Sequence, residues 1–455
     1  MVLVLTMVVL QSISFANYAL TTTTTNIIYG SAPYLTFDGG RTRVTNTEAL
    51  LGISLSDGRT FTPTTNNSSS TNPIVLPVAG QSFADIGMLV PTDTNSIALS
   101  SLIGTPYNYW GDDDGDGQGV NGVTATGSLN LSIVDKDNNR VARNEVLTIC
   151  KAPYKLTLSN GEGRLTTRYG VPNESRFTAG NATYYINPNI SSPAICYARP
   201  EIDSYFIAKG LSATVWEYPK GFLTQSATPS SYDLNFPTTG ANNLYFDLDI
   251  SGSTQALSWA PVSHGGITAT MTNSTSTSVR VTLTGPVATR SQWRLGNPGE
   301  IDKPSLPQVF ELVGRDSSGN AVVKYGFELK QWFVNRGDYE SWSGVTSWCT
   351  NIGYRMPKIL ELTNGSCMAN DWCQEAVLAT PSSPDNHARR HIGGGLFSEW
   401  GRMGLYEGSN FFNGCYRTSD KHTLRIERQN YFGVESYEGS VWGLLDLPLE
   451  VCVYP

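Results

Sequence analysis
The chain has 455 residues, a formal net charge of -8 and a pI near 5.2, and only 15% of its residues are charged. That length calls for several domains, not one core. Low charge with abundant Ser, Thr, Asn and Gly argues against helical bundles and coiled coils and for β-rich extracellular domains with polar turns. No Lys/Arg stripe is present, so neither nucleic acid nor an anionic membrane is an expected partner.

Residues 1–16 form an apolar run too short to span a bilayer. Ser14-Phe15-Ala16 has the small-x-small form of a signal-peptidase site, but no Lys or Arg precedes the run. A signal-like leader and a truncated β-branched strand both stay open. No other segment is apolar enough to be transmembrane. From 17 to 150, a run of Thr and Ile ahead of Tyr29 and short apolar runs at Leu50–Leu55, Ile74–Val78 and Ile97–Leu99 are separated by Gly/Asn/Ser turns, as in a β-sandwich. Leu129, Leu131 and Ile133 alternate with polar residues, the pattern of a half-buried strand, and Asp135 to Asn139 supply a hairpin turn.

Residues 151–240 read as a less regular β domain, with Leu156–Leu158, Thr183–Ile186 and Ala213–Trp216 as its apolar runs. Alternation returns across 241–330. Leu244, Phe246, Leu248 and Ile250 form one inward row; Val279, Val281 and Leu283 a second; Val323, Tyr325, Phe327 and Leu329 a third. This reads as an immunoglobulin-like sandwich. Val313 to Val322 loosely repeats the hairpin phrase at Val134 to Val141. Lys324 to Lys330 runs into Trp332 without a Gly/Pro break, so the last unit is expected to pack rigidly on this sandwich.

Residues 331–455 hold six of the ten Trp and five of the seven Cys. Indole is costly to leave exposed, so the stretch is either an aromatic core or an aromatic binding surface. Ser341 can N-cap a helix with Trp342, Val345, Cys349 and Ile352 on one face, and Pro357 suits the first turn of a second helix ending at Leu362. Leu424–Glu427 and Val451–Val453 read as strands. Trp332, Trp342, Trp348 and Trp442 read as core. Trp400, Tyr406, Phe411 and Phe412 lie in the Gly-rich stretch Gly393–Gly414 and read as surface candidates, because aromatics displayed on loops of a rigid scaffold make recognition sites.

Trp332-Phe333-Val334, Trp348-Cys349, Gly353-Tyr354-Arg355-Met356-Pro357, Glu361-Leu362-Thr363, Glu399-Trp400-Gly401 and the terminal Cys452, in that order, resemble the C-type-lectin-like tip of the invasin/intimin adhesins. Tyr107 to Gly117 resembles the adhesion region of invasin-like proteins of enteric bacteria. The resemblance implies a mainly β chain: tandem immunoglobulin-like sandwiches followed by an α+β C-type-lectin-like head at 331–455. There are three departures. The family's N-terminal outer-membrane barrel is missing, which suggests a truncated member, a fragment or a secreted form. Arg417 stands where the family often carries Trp in a Tyr-Trp-Thr-Ser phrase. The Glu-Pro-Asn and Trp-Asn-Asp signatures of calcium-dependent sugar binding do not occur, so the fold name does not license sugar recognition.

The cysteine spacing fits neither paired zinc motifs nor a redox C-x-x-C. If oxidised, the bridges expected are Cys150–Cys196, Cys349–Cys452 and Cys367–Cys373, the second tying the first helix to the terminal strand as lectin-like folds do. Cys415 is then left as a buried or a reactive thiol, and connectivity is not fixed by spacing. Asp112, Asp114 and Asp116 have the Asp-x-Asp-x-Asp-Gly spacing of a calcium loop. The twelfth position is Val123 and no helices flank it, so it is not an EF-hand; a solvated acidic turn is the plain alternative. His387 and His391 are four apart but lack a third ligand, and read as part of a polar loop. No nucleophile elbow, P-loop or dinucleotide motif is present.

These readings converge on a bacterial adhesin, without an enzymatic site, at the outer membrane or secreted. It would attach to a host cell-surface protein or glycan through aromatic and Arg contacts in the head, Arg417 among them. A secreted hydrolase of surface polysaccharide and a purely structural stalk protein are the alternatives. No cofactor is expected besides calcium.

Overall fold
A computed structural model of the chain describes residues 29–44, 47–117, 122–190, 192–203, 208–337, 345–366, 376–421, 431–443 and 449–455. The leader-like residues, the Thr run, the expected Leu424–Glu427 strand, Ser341, Trp342, Trp372, Cys367 and Cys373 lie outside the described residues. The fold is mainly β, with 37% strand and 10% helix. Among the described residues no helix is long and apolar enough to cross a membrane.

The chain forms two units, Met1–Leu147 with Pro153–Asn187, and Thr148–Ala152 with Pro188–Pro455. In the first, β1 (Ser128–Val134), β2 (Tyr154–Asn160) and β3 (Gly180–Asn187) form the centre of a five-stranded sheet, edged by Ile74–Val75 and Ser96–Ala98. Leu129, Leu131 and Ile133 are buried, and so are Leu156 and Leu158 of β2 and Tyr184 and Ile186 of β3. A period of two places each row on one face of the sheet. A three-stranded sheet of Glu174–Phe177, Gly163–Thr167 and Val123–Thr126 belongs to the same unit.

The expected boundary at 150 is therefore corrected: β2 pairs along its length with β1 and with β3, so 17–150 is an incomplete sandwich without residues to 187. The boundary at 240 is corrected as well. In the second unit β4 (Ala194–Arg199) and β5 (Thr239–Ala241) precede β6 (Leu244–Ser251), and β4 pairs antiparallel with β6 across that boundary. No separate 151–240 domain remains, because its two halves complete different sheets.

β6 pairs with β7 (Ser278–Thr284), and the opposed sheet carries the hairpin β8 (Gln308–Arg315) to β9 (Ala321–Leu329). All three inward rows expected for 241–330 are buried. The chain then passes through Lys330 into β10 (Gln331–Arg336), which pairs parallel with β5. Two helices follow, α1 (Val345–Asn351) and α2 (Ile359–Leu362), then α3 (Leu396–Trp400). β11 (Cys415–Lys421), β12 (Tyr431–Glu435) and β13 (Val441–Gly443) form a small antiparallel sheet, and β14 (Glu450–Tyr454) returns to pair antiparallel with β10. One continuous core runs from Ile195 to Val453, so sandwich and head share their buried residues.

The head is pinned at its root. Arg336 and Glu450 lie opposite each other on β10 and β14 and form a buried ion pair at 2.8 Å. The Arg336 guanidinium also stacks 5.3 Å from the Trp348 ring. Cys349 at the end of α1 is bonded to Cys452 of β14, and within the same unit Cys150 is bonded to Cys196 of β4. Cys349 and Ile352 are buried, as the helical spacing requires.

Candidate functional site
Three of the expected surface aromatics are interior, and the reason lies in α3. Gly395, at a φ of +94°, opens the helix, and Gly401, at +78°, closes it. Glu399 turns into the protein and accepts from the Thr238 hydroxyl at 2.7 Å, the Thr239 amide and hydroxyl at 2.9 and 2.6 Å, and the Gly393 amide at 2.8 Å. Burial pushes its carboxyl above the ordinary range against the pull of those donors. The helix is thereby locked onto β5, and Trp400 enters the core with none of its surface exposed. Its ring lies 4.9 Å from Phe236, and its Nε1 donates to the Thr239 carbonyl at 3.0 Å.

Tyr406 packs on Trp400 at 5.7 Å and donates its hydroxyl proton to the Trp400 carbonyl. Phe411 lies 6.0 Å from Tyr416. Trp400, Tyr406 and Phe411 are thus corrected from surface to core; Phe412 keeps 40% of its surface exposed. Gly401 admits no side chain, since a Cβ there would lie 2.0 Å from Nη2 of the buried Arg390.

The small sheet carries a better surface. Alternation along β11 buries Tyr416 and Thr418 and leaves Arg417, Ser419 and Lys421 on the other face. The register sets Arg417 opposite Gly433 of β12, and Gly433 opposite Trp442 of β13. Gly433 contributes no side chain, so Arg417 and Trp442 occupy one face, two strand spacings or ~10 Å apart. Trp442, expected in the core, is 43% exposed: Val441 takes the inward position and Trp442 the outward one. The Arg417 guanidinium stacks 4.1 Å from the Tyr431 ring, and the Lys421 ammonium lies 5.4 Å from the same ring. At the position where the family often carries Trp, Arg417 is an outward residue with its guanidinium on an aromatic ring. Its Nε is buried with no hydrogen-bond partner among the described residues.

Beside this face lies a cleft of ≈ 540 Å³ lined by Arg355, Lys358, Glu361, Ser419, Lys421 and Tyr431. Arg355 binds Glu361 through both nitrogens, at 2.8 and 2.6 Å. Burial pushes the Glu361 carboxyl up, but Arg355 and the Lys358 amide hold it below its usual range. Glu361 is thus neutralised in place. Lys358, Lys421 and Arg417 form no ion pair among the described residues. The face is aromatic and cationic, suited to a ligand that offers carboxylates or sulfates with an apolar edge. Glu435, on the same side of β12 as Tyr431, adds a titrating group: burial, then the charge of Glu438, pushes it up to about 7.

Cys415 is a free thiol that burial pushes up to about 12, so it is protonated at neutral pH and unreactive. His387 and His391 lie in a loop. His387 approaches Asp385 and Glu438, whereas burial lowers the pKa of His391, and the two share no metal-ligating group among the described residues. In the first unit Asp112, Asp114 and Asp116 converge, each offering an oxygen within 4.8 Å of the others. The sequence reading places Trp442 in the core and gives Tyr431, Lys421, Arg355 and Lys358 no binding role. The alternation of Cys415 to Lys421 alone would have grouped Arg417 with Lys421.

No protein-family model matches the chain, and no curated protein does. Among solved structures, the C-terminal 282-residue fragment of intimin in complex with the translocated intimin receptor (Tir) intimin-binding domain aligns at 11% identity, over 73% of this chain and 93% of that one, with a TM-score of 0.32. The SGBP-B protein of a Bacteroides ovatus mixed-linkage glucan utilization locus, in complex with a mixed-linkage heptasaccharide, aligns at 12% identity over 45% and 62% with a TM-score of 0.14. Domains 4 and 5 of the S-layer protein SbsC align at 10% identity over 66% and 99%, again with a TM-score of 0.14. At these scores the alignments carry no argument about what this chain binds.

Proposed function
We propose that the chain is a bacterial surface or secreted adhesin whose head binds acidic groups of a host cell-surface protein or glycan through the outward face of β11–β13. The observation that carries this reading is Trp442, 43% exposed, across Gly433 from Arg417, which stacks on Tyr431 and forms no ion pair among the described residues. Aromatic and Arg side chains dominate recognition surfaces because they bring area and directed charge at low entropic cost. Lys358 and Lys421 extend the positive field into the adjoining cleft. The order of motifs resembling invasin/intimin tips supports the same reading.

The test is equilibrium binding of the full chain to cultured epithelial cells at low and at physiological salt. Saturable binding that weakens as salt rises is expected. Absence of saturable binding contradicts the reading. Release of sugar fragments from surface polysaccharide would replace it with the hydrolase alternative.

A further inference from the structure
We infer that the loop Asp112–Gly117 of the first unit is a calcium site, with Asp112, Asp114 and Asp116 as its carboxylate ligands. The loop leaves Trp110–Gly111, a strand paired with Tyr34–Leu35, and leads towards Val123–Thr126. Its neighbours in sequence point to different places. Asp113 accepts from the Tyr34 hydroxyl at 2.9 Å and pairs with Arg43. The three alternate carboxylates converge instead, with one oxygen from each within 4.8 Å of the others. Calcium holds its oxygens at 2.3–2.6 Å, so ligands on opposite sides stand up to about 5 Å apart, and the cluster fits that span.

The independent observation is Asp116. It is only 4% exposed, and both of its carboxylate oxygens are buried without a hydrogen-bond partner among the described residues. Asp112 Oδ1 and the Ser31 hydroxyl are also buried without hydrogen-bond partners among the described residues. The remaining oxygens are used: Asp112 Oδ2 accepts from the Gly117 amide at 2.8 Å, Asp114 Oδ2 from the Ser31 amide at 2.8 Å, and Asp114 Oδ1 from the Asp116 amide at 3.3 Å. A buried anion with no partner is strongly destabilising, and here three carboxylates converge with no cationic side chain paired to them among the described residues.

Two glycines clear the space. A Cβ at Gly170 would lie 1.7 Å from Asp116 Oδ2, and one at Gly30 would lie 1.5 Å from Asp114 Oδ2. The loop is thereby closed by segments about 55 and 85 residues away in the chain, and a cation there would staple all three. The donors are all oxygen, with no His or Cys, which selects a hard cation. Calcium is preferred to magnesium because irregular oxygen sets suit it and magnesium demands a near-ideal octahedron.

The experiment is calorimetric titration of calcium chloride into the chelator-treated full chain, with magnesium chloride as the second titrant. One calcium per chain is expected, half-saturating at ~10⁻⁴–10⁻³ M, the range of extracellular modules. Asp116→Asn is expected to weaken binding at least about tenfold, whereas Asp113→Asn, outside the cluster, stays within about twofold. Thermal melts in chelator guard against misfolding. There Asp116→Asn should melt no lower than the parent, because it removes an uncompensated charge. No calcium binding up to about 10 mM, equal binding by Asp116→Asn, or equal affinity for magnesium would overturn the assignment.

Discussion

Two tryptophans in the head separate folding from recognition. Trp400→Ala removes an indole with no exposed surface, packed between Phe236, Phe246 and Tyr406. It also orphans the Thr239 carbonyl that Nε1 satisfies. Buried Trp→Ala changes cost about 3–5 kcal/mol, and the lost hydrogen bond adds about 1 kcal/mol. The sum, about 4–6 kcal/mol, is a large part of the 5–15 kcal/mol typical of a whole domain. Trp442→Ala removes a ring that is 43% exposed on a three-residue strand, and about 1 kcal/mol or less is expected.

The assay is urea unfolding of the full chain followed by Trp fluorescence, which reports the second unit because nine of the ten Trp fall within it. Trp400→Ala should bring that transition to much lower urea, and Trp442→Ala should leave it nearly in place while cell binding falls. The reasoning is refuted if Trp400→Ala shifts stability by under about 1 kcal/mol, or if the two variants are equally destabilised.

Two further outcomes follow from the same unit. Cys349–Cys452 closes a loop of 103 residues, so replacing both cysteines by Ala should lower stability by about 2–5 kcal/mol, read as a drop in the urea midpoint without reductant. Glu435 holds its proton to about pH 7 in the folded chain, whereas the unfolded chain releases it near 4.5. Its contribution to stability therefore falls as pH rises from about 4.5 to about 7 and is level above that. Over the same upper range the face gains a negative charge, so binding to an acidic ligand should weaken from pH 6 to pH 8, and Glu435→Gln should flatten that profile.

Much of the second unit was legible because its strands are amphipathic by simple alternation. Leu244, Phe246, Leu248 and Ile250 are all buried, as read. The loose hairpin echo is also real in geometry. Asp135 Oδ1 accepts from the amides of Asp137 and Asn139, and Asp316 Oδ1 from those of Ser318 and Asn320. Such local turn chemistry is written in neighbouring residues.

What failed depended on distant partners. The Gly-rich stretch around Trp400 reads as loop, but Thr238 and Thr239, some 160 residues earlier, capture Glu399 and draw the indole inward. The boundaries at 150 and 240 failed because strand pairing ignores changes in composition along the chain. Trp442 was misread because the facing of a three-residue strand is settled by its neighbour's register. The shared core also makes a head-deletion variant ending at Lys330 uninformative, since β5 would lose β10 and Phe236 would lose Trp400.

The most direct test of the account is therefore a double substitution that leaves the core untouched. Lys421→Glu with Trp442→Ala in the full chain should keep the parental urea transition and abolish saturable binding to epithelial cells. Parental binding by a folded double variant would contradict the claim that the outward face of β11–β13 is the recognition surface.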